Sequence, residues 1–234
     1  MKNYRIISAA LLMVGLIVVG VCIKSGLNGM ADNSRVVNVK GLSEIEVKAD
    51  KVTWPVTFKI IGNDLSSIYE EVNKSNRIVR NFLESKGISA NEINENAPQI
   101  VDKAADVYGT NEYKARYNVT SVMTVSTDKV DLVRKLMSRQ GELLKQGVAI
   151  SANDYNNTVI YAFTKLNSVK PKMIEQATRN ARAAADKFAK DSESDLGKIK
   201  SADQGQISIE DRDANTPFIK KIRVVTSIEY YLKD

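Results

Sequence analysis

The chain contains no histidine, and this absence excludes more than any motif includes. It removes Ser-His-Asp chemistry, imidazole general bases and His-ligated zinc together. What survives for catalysis is carboxylate, Lys, Tyr or Ser–Lys chemistry, and none of these has a recognisable signature here. The sequence therefore names no catalytic, cofactor-binding or metal-ligating residue, and implies no cofactor. Cysteine is almost as scarce. Cys22 is the only one, so no intrachain disulfide can form and stability must come from packing. Val21 precedes it, where a lipid-modification signal requires a small side chain.

A strong charge of one sign is also missing. The formal +6 and pI of 9.2 look basic until they are divided along the chain. Residues 1–35 carry Lys2, Arg5, Lys24 and Arg35 against Asp32, or half of the excess, and the remaining 199 residues are nearly balanced. No basic stripe with interleaved aromatics appears, so no nucleic-acid partner is expected.

Long apolar runs are absent except one. Residues 6–23, IISAALLMVGLIVVGVCI, carry no charge and follow Lys2 and Arg5. As a helix they span about 27 Å, close to a hydrocarbon core and longer than most signal-peptide apolar regions. An uncleaved anchor and a cleavable signal both fit; run length favours retention, with Gly29 and Ala31 the best cleavage pair. The charges before the run keep the N-terminus in the cytoplasm and send residues 36–234 outside. The expected organisation is a signal or membrane anchor with a short polar tether over 1–35, then one α+β domain over 36–234.

Within that domain the periodicity is legible. Val37, Val39, Ile45 and Val47, then Val52, Trp54, Val56, Phe58 and Ile60, alternate with polar or small residues and predict two strands joined at Ala49-Asp50-Lys51. Pro55 places an edge or bulge in the second. Leu65, Ile68, Tyr69, Val72, Val79, Phe82 and Leu83 predict an amphipathic helix over 64–86, capped by Asp64 and stopped by Gly87. Trp54, Tyr69 and Phe82 are expected on inward faces.

A β region follows over 88–125, with Tyr117, Val119, Ser121, Met123 and Val125 spaced by two and a hairpin loop around Gly109-Thr110-Asn111. A helix over 128–140 ends at Gly141, and Val159, Tyr161 and Phe163 form another strand. Lys170 to about Lys190 predicts a third helix, opened by Pro171 in its first turn, with Ile174, Ala177, Ala181, Ala184, Ala185 and Phe188 on one face. An alanine face lets the helix axis approach its neighbour closely. Two last strands cover Ile199–Glu210 and Ile219–Leu232. The order ββαββαβαββ implies α+β, a largely antiparallel sheet packed with about three helices.

Three segments resemble the SIMPL-domain family of exported bacterial proteins, of the periplasmic or outer-membrane antigen type. VVNVKGLSEIEVKADKVTWPVTFKI resembles its Gly-containing first strand, Ala-Asp corner and second strand. NKSNRIVRNFLESKGISANEI resembles its helix, Gly-Ile turn and acidic-Ile pair. MIEQATRNARAAADKFAKDSESDLGKI resembles its alanine-rich helix closed by Leu-Gly and a strand, with SESDLG more polar than usual. The resemblance implies export to the periplasm of Gram-negative bacteria and, in some members, ring-like homo-oligomers. It carries no catalytic residue across.

Four features invite sharper readings. Asp211-Arg212-Asp213-Ala214-Asn215 imitates the start of a calcium loop, but Thr216 and Ile222 stand where Gly and Glu are required, and a solvated hairpin turn is favoured. Glu44 and Glu46 share a strand face, where paired carboxylates could do acid–base work; exposed strand glutamates are commoner. The last predicted helix is basic, and Arg179 and Arg182 are candidate contacts for an anion or anionic lipid, although Glu175, Asp186 and Asp191 interrupt the face. Tyr108, Tyr113 and Tyr117, in and beside the 109–112 loop, are candidate oligomer contacts.

The function expected is that of a non-enzymatic envelope protein, in the periplasm and anchored to the inner membrane through residues 6–23 or released after cleavage. It acts through homo-oligomerisation and contacts with envelope proteins. The alternatives are an anionic-lipid or ligand binder, or an enzyme using carboxylate or Lys chemistry on envelope polymers.

Overall fold

A computed structural model describes residues 12–24, 35–105, 114–151 and 157–233. Residues 12–24 form helix α1, with every side chain exposed. Then come β1 (Val36–Lys48), β2 (Lys51–Gly62), α2 (Leu65–Ser85), a 3-10 turn (Ala90–Glu92), β3 (Ile93–Glu95), β4 (Gln99–Asp102) and β5 (Tyr117–Thr127). The remainder is α3 (Val130–Met137), α4 (Gly141–Leu144), β6 (Ile160–Ala162), α5 (Leu166–Asp191), β7 (Asp195–Asp211) and β8 (Ile219–Lys233). The fold is α+β with antiparallel pairing, as the strand patterns predicted.

The chain forms two compact units. One contains the described parts of Met1–Ile45, Asn167–Ser208 and Ile222–Asp234; the other contains those of Glu46–Leu166 and Ile209–Lys221. Strands accordingly divide into two sheets, in the orders β1-β8-β7 and β3-β5-β2-β6, with β4 also paired to β5. This replaces the single sheet that the alternating patterns suggested.

In the Glu46–Leu166 unit, β2 and β5 pair antiparallel along their whole lengths, from Val52 opposite Thr127 to Gly62 opposite Tyr117. The two-residue period puts Val52, Trp54, Val56, Phe58 and Ile60 on one buried face with Val119, Met123 and Val125. Helix α2 covers that face with Ile68, Val72, Val79, Phe82 and Leu83, and α3 with Val130, Val133 and Leu136. Pro55 sits where the expected edge begins. β6 pairs only with Lys51–Thr53, so the missing N–H falls beyond its last partner.

The other unit packs α5 on its three-stranded sheet. Met173, Ala177, Ala181, Ala185 and Ala189 recur every fourth residue and are buried, and Ala181 and Ala185 meet Val39, Ile228 and Tyr230. The close approach read from the alanine face is made possible on the other side by Gly41. A Cβ there would come within 1.8 Å of the Ala177 carbonyl oxygen and 2.6 Å of the Ala181 nitrogen.

Several expectations require correction. Among the described residues there are five α-helices: the single turn α4 joins the about three expected of the domain, and α1 lies in the N-terminal apolar run. Gly141 opens α4 instead of ending a helix. Helix α5 begins at Leu166, so Pro171 lies inside it, past the first turn where its missing N–H would cost nothing. Phe188 points outward at 59% exposure while Met173 and Ala189 take the inward positions, because a four-residue spacing drifts around a 3.6-residue helix. Tyr69, 64% exposed, is likewise outward. As for the N-terminal membrane segment, residues 6–11 of the apolar run lie outside the described residues. Among those described, no helix is long and apolar enough to cross a membrane.

Candidate functional site

The charged residues that suggested chemistry are engaged in holding strands and turns. Glu44 pairs with Arg223 at 3.7 Å, and Glu46 with Arg212 at 3.4 Å. Glu229 similarly meets Lys200 at 3.4 Å. The Glu44–Arg223 and Glu229–Lys200 pairs are cross-strand and Glu46–Arg212 joins a strand to a turn, and such exposed pairs contribute alignment more than energy. The two-residue spacing of Glu44 and Glu46 thus serves a ladder of ion pairs.

The Asp211–Asn215 segment is a turn, the reading that the incomplete calcium pattern favoured. Asp213 accepts hydrogen bonds from the Thr216 hydroxyl, from Arg212 Nε at 3.0 Å, and from the backbone N–H groups of Asn215 at 2.9 Å and Thr216 at 2.8 Å. Those donors, the Thr216 hydroxyl foremost, lower its pKa to about 2. Asp211 is taken by the buried Lys220.

Glu92 is the other strongly perturbed acid. Burial works to raise its pKa, but the Thr127 hydroxyl at 2.7 Å, the Ser89 N–H at 2.7 Å and Lys129 Nζ at 2.9 Å together bring it to about 2. Lys129 also donates to the Gly87 carbonyl at 3.0 Å. Gly87 has φ +98°, and Ile88 and Ile93 are buried on either side of this cluster. The carboxylate is therefore the tie of the Gly-Ile turn. Asp50, at the Ala-Asp corner, does comparable service: it accepts from the N–H groups of Thr164 at 2.7 Å and Lys165 at 3.2 Å just before α5.

The candidate contact residues do not converge. Tyr108 and Tyr113 lie outside the described residues. Tyr117 is half-buried against the Glu46–Leu166 core, with the Arg116 guanidinium 5.0 Å from its ring centre. Arg179 is held by Glu175 one turn earlier, and Arg182 is exposed on the same helix.

Two surfaces remain unexplained by internal packing. The first is an apolar groove of about 400 Å³ between α2 and β4, lined by Leu65, Ile68, Tyr69, Val72, Pro98 and Ile100. Tyr69 and Ile100 (56% exposed) form its rim. Periodicity alone placed Tyr69 in the core; its position at the margin of the α2 stripe, level with the exposed Leu65, was the available signal.

The second is a strand edge. An open edge presents unpaired N–H and C=O groups, and folded proteins shorten or block such edges. Strands β3, β4 and β6 have three, four and three residues. Next to β4, Pro98 removes a donor, and Asp102 is closed off by Ala105 N–H on its carbonyl and Arg116 on its carboxylate. On β1 the Leu42 carbonyl accepts from Asn180 Nδ2 at 2.8 Å. Strand β7 is neither short nor interrupted by proline, and its guards are charged side chains such as Lys198 and Lys200. It runs for 17 residues at the end of the β1-β8-β7 order, none of them buried. Its length was underestimated from sequence because the polar run SADQGQ at 201–206 lacks the alternation that marks a half-buried strand.

No curated protein sequence matches the chain. Four structural features fall within the segments that carry the family resemblance: Gly41 against α5, the Ala49-Asp50 corner, the Gly87-Ile88 turn tied by Glu92, and Gly197, where a Cβ would meet the Tyr231 carbonyl at 2.7 Å. With residues 37–229 matching the family described as "SIMPL: Protein of unknown function (DUF541)", the chain belongs to the SIMPL family.

Proposed function

We propose that the chain is a non-enzymatic cell-envelope protein of a Gram-negative bacterium, working outside the inner membrane through homo-oligomerisation and contacts with other envelope proteins. The apolar run at residues 6–23 is its membrane anchor or export signal, and the periplasm its place of work. The observation that carries the reading is the β7 edge: 17 residues without proline and with no strand beyond them among the described residues, where the other sheet's outer strands are short and Pro98 guards β4. Joining such edges between copies satisfies backbone groups and removes an aggregation hazard in one step. The perturbed acids support the same view, since Glu92 and Asp213 owe their low pKa values to turn and cap hydrogen bonds within the fold.

The test is the absolute mass of the purified full-length chain in detergent across a wide dilution series. A discrete multimer is the expected result. A monomer at every concentration would overturn the proposal.

A further inference from the structure

We infer that β7 pairs with β7 of a second copy, antiparallel and symmetric about Gln204. This rests on the self-assembly reading above and names the surface and the partner. In an antiparallel pair related by a two-fold axis perpendicular to the sheet, one residue faces its own copy and the others pair at equal distances on either side. With Gln204 on the axis, Ile199 lies opposite the second copy's Ile209, and Lys198 opposite its Glu210. Symmetry repeats both pairings at the other end.

Four observations single out this register. Ile199 and Ile209 are exposed, at 51% and 38%, on a strand whose central residues are polar, and nothing among the described residues covers them. Lys198 and Glu210 are exposed and have no ion-pair partner among the described residues. Three other charges on these strands are matched internally, Lys200 with Glu229, Lys220 with Asp211 and Arg223 with Glu44, while Asp195 and Asp203 of β7 have no ion-pair partner among the described residues. The same register sets Lys200 opposite Ser208, Ala202 opposite Gln206 and Asp203 opposite Gly205, so no like charges face each other. Shifting the axis by one residue, to Asp203, would place two aspartates face to face and leave Lys198 opposite Ser208.

Directly opposed residues of an antiparallel pair have Cα atoms about 4.5–5.5 Å apart, within the Cα separation that a disulfide spans. In full-length protein carrying Cys22→Ala, Gln204→Cys should therefore oxidise to a covalent dimer, whereas Ser201→Cys, set opposite Ile207, should not. Lys198→Glu or Glu210→Lys alone puts two like-charge pairs into the interface and should weaken association at least about tenfold. The double variant Lys198→Glu with Glu210→Lys should restore it. Failure of Gln204→Cys to cross-link, or single charge reversals without effect, in a chain that still forms a discrete multimer would overturn the β7 register and leave the self-assembly reading standing. A monomer at all concentrations would overturn both.

Discussion

The Cα of Gly41 faces the Ala177 carbonyl oxygen so closely that a methyl group on Gly41 would lie 1.8 Å from it. Backbone offers no rotamer by which to yield, so Gly41→Ala must move α5 away from β1 and open the layer where Ala181 and Ala185 pack on Val39 and Ile228. The expected cost is about 3 kcal/mol or more, read as a lower urea midpoint by circular dichroism. Unchanged stability would show that α5 is not held at this distance.

Glu92 makes stability depend on acid. Its pKa falls from 4.5 when unfolded to about 2 in the fold, so its contribution is fully present above pH 4.5 and is lost as pH drops towards 2. Allowing for partial exposure, that contribution is on the order of 2 kcal/mol. Glu92→Gln should be less stable at pH 7 and show a flatter stability profile between pH 4.5 and 2. Parallel profiles for the two proteins would remove Glu92 as the source.

Glu193 offers a test in the opposite direction. It has φ +54°, the left-handed conformation, where α5 ends and the Ser194 N–H returns to the Ala189 carbonyl at 2.9 Å. Glycine adopts this conformation without the steric cost that a side chain incurs. Glu193→Gly should raise stability by about 1 kcal/mol, seen as an increase in Tm of several degrees. A decrease would mean that the Glu193 side chain makes a contribution larger than its strain.

What the sequence made legible was local order with a strong period. The α2 boundaries, its Asp64 cap and the Gly87 stop were readable because each depends on a few adjacent residues. So was the β2 core face, where bulky β-branched and aromatic residues alternate. The division into two sheets was not readable, because strand order follows from pairings across the chain, such as β1 with β8, that no local pattern encodes. The family segments supplied Gly41, Asp50 and Gly197 as positions of interest, but their reasons lie in neighbours distant in sequence: Ala177, Thr164 and Tyr231. The full length of the β7 edge was not readable because the polar run at its centre, residues 201–206, has no hydrophobic period.

The least legible part of the core is polar. Asn76 is buried in the middle of the apolar α2 face, where its Oδ1 accepts from the Ser121 hydroxyl at 3.1 Å and its Nδ2 donates to Glu95 at 2.5 Å. Ser121 is fully buried on the β5 face, and Glu95 also meets Arg80 at 3.2 Å, so a chain of polar groups runs from the core to the surface. Removing one member leaves another without a partner in low dielectric. Asn76→Ala should therefore cost about 2 kcal/mol despite alanine's better helix propensity. Ser121→Ala should cost less, since Asn76 keeps its bond to Glu95. The double variant should be more stable than the sum of the two losses implies, by about 1 kcal/mol, because the orphaned hydroxyl is gone. Strict additivity in urea denaturation would show that the two side chains do not act as a pair.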